Sequence, residues 1–116
     1  MVKFSEYPAV IAAVQYQIHE LDIQIDRVYK IIKQIELTVD SGIAFDKTLY
    51  NDAQRKAMKQ ILLDEHPSLW EFQENISSLR AAREIKNIYL GKLRDEFSVW
   101  KLLKREDIAR MESEGG

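Results

Sequence analysis

An all-α fold, a long antiparallel helical hairpin of coiled-coil type with a short capping helix, is what this sequence predicts, and three observations predict it. Apolar residues in the first third recur at alternating spacings of three and four, the period of a helix that buries one face. Helix-interrupting residues are scarce, with 4 glycines and 2 prolines in 116 residues. Two apolar spans of equal length, 11–39 and 69–97, flank a middle segment that holds Gly42 and Pro67. Folding the chain back on itself then sets Val39 beside Leu69 and Ile11 beside Phe97, along seams about 40 Å long.

Ser5 or Glu6 leads into the first helix, and Pro8 falls in its first turn, where a missing N–H costs no intrahelical hydrogen bond. The seam runs through Ile11, Val14, Ile18, Leu21, Ile25, Val28, Ile32, Ile35 and Val39. Isoleucine and valine crowd the preceding helical turn, so this helix must be stabilised by burying the seam. Each fully buried residue contributes about 1.5–3 kcal/mol. Asp40, Ser41 and Gly42 are expected to end the helix, with glycine in the left-handed conformation that closes a last turn.

A loop through Phe45 and Tyr50 follows. Asn51 and Gln54 have the spacing of a capping box and open a short helix, which His66 and Pro67 break. Ser68 with Glu71 offers the cap of a third helix. Its expected stripe is Leu69, Phe72, Ile76, Leu79, Ala82, Ile85, Tyr89, Leu93, Phe97 and Trp100, with spacings that overwind and then unwind the seam. The reading is therefore a single helical domain, 1–116, with helices over about 8–39, 52–65 and 68–110 and a frayed tail at 111–116.

A lone hairpin leaves some apolar residues uncovered. Tyr16, Ile23 and Leu37 lie far from the first seam, and Ile31 widens its apolar arc. Either the short helix folds back over this face, or hairpins associate into a bundle. The second alternative predicts a homo-oligomer with Tyr16, Ile23, Ile31 and Leu37 at its interface.

Composition removes most catalytic classes. With no cysteine, disulfides, thiolate nucleophiles and sulfur-ligated zinc are excluded. The early apolar run 9–14 stops at Gln15, too short to span a membrane and without the basic start of a signal peptide, so a cytoplasmic location without membrane association is expected. His19 and His66 sit in no ligand pattern, and no glutamate is followed by histidine three residues later as a diiron bundle requires. Asp22 and Asp26 form an acidic pair one turn apart, but Lys30 follows Asp26 in the favourable orientation of an ion pair. Gly42 and Gly91 are too far apart to build a phosphate loop. The expectation is a non-enzyme with no metal and no cofactor.

What remains is contact with other macromolecules. Phe45, Tyr50 and Trp70 collect at the capped end and are expected to meet a protein partner. The formal charge of −2 leaves no overall preference for polyanions, so nucleic-acid contact would need a local patch, and Arg80, Arg83 and Lys86 are its candidates. Residues Asn51-Asp52-Ala53-Gln54-Arg55-Lys56-Ala57, between one heptad helix and another that carries Glu96-Phe97-Ser98-Val99-Trp100-Lys101, give an organisation that resembles small phage or prophage proteins. These are helical hairpins with a comparable central segment. The resemblance covers most of the chain in layout and these short segments in residues. It implies the same hairpin fold and, because some such proteins accompany recombination or inhibit host nucleases, an alternative role as an accessory factor in nucleic-acid metabolism. The first reading from the residues themselves is a self-associating protein-interaction module.

Overall fold

The computed structural model of the protein describes residues 2–115. A 3₁₀ turn, Phe4–Glu6, leads directly into α1, Tyr7–Ala44; α2 is Asp52–Asp64 and α3 is Leu69–Gly115. Among the described residues there is no strand. The fold is all-α, and α1 and α3 pair as the arms of a helical hairpin. Contacts divide the chain into two compact units: a terminal unit, built from the chain up to Glu20 and from Ala82 onward, and a central unit, 21–81.

In the terminal unit the start of α1 packs on the later part of α3. Tyr7, Val14, Leu90 and Leu93 are its buried core, with Val10, Ile11, Ile18 and Phe97 packed around them. Leu93, 1% exposed, is the most enclosed. Phe97 stacks on Tyr7 with ring centroids 5.4 Å apart and tilts against Phe4 at 5.6 Å. The α1 seam therefore begins at Tyr7, one step of four before Ile11. In the central unit Val28 and Ile32 of α1 meet Leu69 and Ile76 of α3, and Ile25, Ile35, Leu63, Phe72 and Leu79 complete that core. Ile11 shares a core with Phe97, and Leu69 shares one with Ile35, so each unit has the antiparallel pairing that the equal spans predict.

Two boundaries differ from the sequence expectation. Helix α1 does not stop at Gly42 but continues to Ala44, and no described glycine has positive φ. The reason is Ile43, which is buried four residues beyond Val39. Burying it contributes more than the roughly 1 kcal/mol that a helical glycine costs. At the other end α3 runs past 110 to Gly115, carried by a proline-free segment in which Arg110 pairs with Asp107 at 2.9 Å. Gly116 lies outside the described residues.

The inner stripe of α3 is also corrected. Ile85 and Tyr89, expected to face inward, are exposed. The least exposed side is Leu69, Phe72, Ile76, Leu79, Ala82, Lys86, Leu90, Leu93 and Phe97, so Ala82 stays on the stripe as expected, Arg83 is exposed, and one cation takes a place along it. Lys86 is half-buried there.

The α2 cap forms as the Asn51–Gln54 spacing predicts. Gln54 N–H donates to Asn51 Oδ1 at 2.8 Å, while the Gln54 side chain accepts from Tyr50 N–H at 2.7 Å, one residue earlier than in the standard box. Leu63 joins the central core, and Lys59 reaches Asp40 of α1 at 2.9 Å. No residue of α2 is fully buried.

Substituting Gly42 tests the corrected boundary. A Cβ there meets nothing within 4 Å, and the backbone is helical. Gly42→Ala is expected to raise stability by about 0.5–1 kcal/mol in denaturant unfolding, whereas a glycine that ended the helix in a left-handed turn would make the same change destabilising.

Candidate interaction surface

Among the described residues no group of three or more His, Asp or Glu side chains is placed to hold a metal ion, and no polar or charged side chain is buried. Asp26 is paired with Lys30 at 2.8 Å, as its spacing predicts. His19 is exposed. No described helix is long and apolar enough to cross a membrane.

His66 has a definite structural role. Its Nδ1 accepts from the backbone N–H groups of Ser68 and Leu69, both at 3.2 Å. The first N–H groups of a helix have no intrahelical acceptor, and here the imidazole, rather than the expected Ser68–Glu71 pair, supplies one. Nδ1 must be the unprotonated ring nitrogen for this.

The expected interface residues separate into two groups. Tyr16 lies in the terminal unit and is 73% exposed; Leu37, in the central unit, is 59% exposed. Ile31 is exposed too and borders a shallow apolar pocket of about 260 Å³ with Ile35, Val39 and His66. Ile23 is half-buried. Helix α2 thus does not cover this face. Phe45, Tyr50 and Trp70 are all exposed in the central unit, and none stacks on another ring among the described residues. Trp70 lines a small pocket with Gln60, Leu63 and Gln73.

The basic candidates are dispersed in their local roles. Arg80 is exposed in the central unit; Arg83 and Lys86 belong to the terminal unit, where Arg83 is engaged within the fold. Farther along, Lys101 lies over the Phe97 ring at 4.6 Å and Lys104 over Phe4 at 5.9 Å. These ammonium groups cover aromatic faces, a cation–π arrangement worth about 0.5–1 kcal/mol at exposed sites.

The surface that sequence reasoning missed is on α3. With Ile85 and Tyr89 turned outward, they join Val99 and Leu103, all exposed, on a face that also carries Lys92 and Glu96. Beside it opens a cleft of about 510 Å³ lined by Val2, Tyr7, Tyr89, Lys92, Leu93, Glu96 and Trp100. Glu96 is its central polar group. Tyr7 Oη donates to Glu96 Oε2 at 3.1 Å, and Lys92 Nζ stands 3.8 Å from Oε1. Burial, and then the hydrogen bond to the Glu96 carboxylate, hold the Tyr7 phenol above its ordinary value, with the Trp100 side chain acting in the opposite sense. The signal for this face was available as a second heptad, hidden because Ile85 and Tyr89 also fit a distorted inner stripe.

Comparison with protein-family models, with curated proteins and with solved structures finds no match for this chain.

Two measurements check this geometry. Because the fold raises the Tyr7 phenol, its contribution to stability is complete below the ordinary phenol range near pH 10 and is lost as pH rises through the higher folded value. Phenolate absorbance should show a step above the ordinary phenol range, and Tyr7→Phe should remove it. His66→Ala should lower stability by about 1 kcal/mol in thermal unfolding, the usual loss for a missing N-terminal cap. His66→Asn, which keeps a side-chain acceptor, should recover part of it.

Proposed function

We propose that this chain is a non-enzymatic, cytoplasmic helical module that self-associates and presents its remaining helix faces to a protein partner. The observation that carries this reading is the set of large apolar side chains outside both cores. Tyr16 and Leu37 on α1, and Ile85, Ile88, Val99 and Leu103 on α3, are exposed although each helix already packs another face into the two cores. Single exposed apolar residues are ordinary, whereas helix-spaced series of them mark surfaces that pack against something. Non-enzymatic action is supported by residue chemistry: cysteine is absent from the sequence, and both histidines are accounted for by solvation or capping.

Absolute mass by light scattering after size-exclusion chromatography, over a wide concentration range, tests the reading. The expected result is a stable multiple of 13.6 kDa. A monomer that persists at the highest concentration overturns self-association.

A further inference from the structure

We propose that the outer face of α3 is a two-fold, antiparallel docking surface for a second copy of this chain. This rests on the self-association reading above and names its surface and register.

The face is a second heptad seam: Ile85, Tyr89, Lys92, Glu96, Val99 and Leu103, spaced four, three, four, three and four. All six lie in the terminal unit. Ile85 is 66% exposed, and the flanking Ile88 is 68% exposed. In an antiparallel helix pair each layer joins the two kinds of seam position, so the residues of one chain are read in reverse by the other. This seam is chemically palindromic about the midpoint between Lys92 and Glu96. Centring a second copy there sets Ile85 against Leu103 of that copy, Tyr89 against its Val99 and Lys92 against its Glu96. The same three layers then repeat beyond the axis.

Charge selects both occupant and direction. In the antiparallel register each ammonium meets a carboxylate twice over, while a parallel in-register pair would set Lys92 against Lys92 and Glu96 against Glu96. Glu96 is already oriented for this: Tyr7 donates to Oε2, and Oε1 stands 3.8 Å from Lys92 of its own helix. An ammonium from the second copy can approach that oxygen. The seam spans about 27 Å, long enough for six layers. An unrelated partner would not require the apolar layers to match their own reversal.

The lysine and glutamate give a test by charge exchange. Lys92→Glu alone and Glu96→Lys alone should each weaken dimerisation at least about tenfold, because every central layer then joins like charges. Mixed in equal amounts, the two variants should recover the dimer as a heterodimer. Circular dichroism checks that both remain helical. In this cysteine-free chain, Ile85→Cys with Leu103→Cys should oxidise to a covalent dimer, while Ile85→Cys alone should not. Leu37→Lys should leave the mass unchanged. The proposal is overturned, with self-association intact, if the charge variants stay assembled, if Leu37→Lys dissociates the protein, or if Ile85→Cys alone cross-links. A wild-type monomer at all concentrations overturns both.

Discussion

Mutual burial of the α1 and α3 seams is the interaction on which everything else in this protein rests. The α1 seam is dominated by isoleucine and valine, whose branched side chains lose rotamer freedom in a helix, so a helix of 38 residues with this composition owes its stability to what it packs against. Two cores supply that packing, one around Leu93 and one around Ile32 and Ile76. The loop, the α2 cap and the His66 acceptor serve to return the chain so that α3 meets α1 in register.

The rotation of α3 has a cost and a benefit that arise together. Lys86 stands half-buried on the packed side, where a long side chain can lay its methylene stem along apolar surface and keep its charge in water. The same rotation leaves Ile85 exposed and sets Tyr89 at the rim of the core, beside Tyr7 and Leu93. Had the helix overwound to bury them, the outer face would have lost its first two apolar layers. The half-buried Lys86 and the exposed Ile85 are thus two results of one helix rotation.

Much of this fold is legible in the residues. The α1 period, the breaker at Pro67 and the equal spans are local signals, and they give the helices and their pairing. Gly42 misled because a glycine after an apolar run has the form of a cap, and only the burial of Ile43, a tertiary fact, shows that the helix goes on. The α3 stripe misled for a related reason. Hydrophobicity alone favours Ile85 over Lys86, although amphipathic side chains can occupy a seam. Phe4 and Tyr7 were overlooked as core because they precede Pro8, yet they continue the spacing of Ile11. His66 could not be found as a cap from spacing, since its ring reaches forward to Ser68 and Leu69 only once the chain has turned at Pro67.

Glu96 divides its carboxylate between two tasks, with Tyr7 bound on one oxygen and Lys92 near the other. A charge brought to Oε1 changes the electron density available to Oε2, so any ligand at Oε1 would be thermodynamically linked to the docking of Tyr7. Such linkage is reciprocal: whatever loosens Tyr7 must alter the affinity at Glu96 by the same factor. The 3₁₀ turn that precedes α1 therefore bears on how the Glu96 carboxylate is held, through Tyr7.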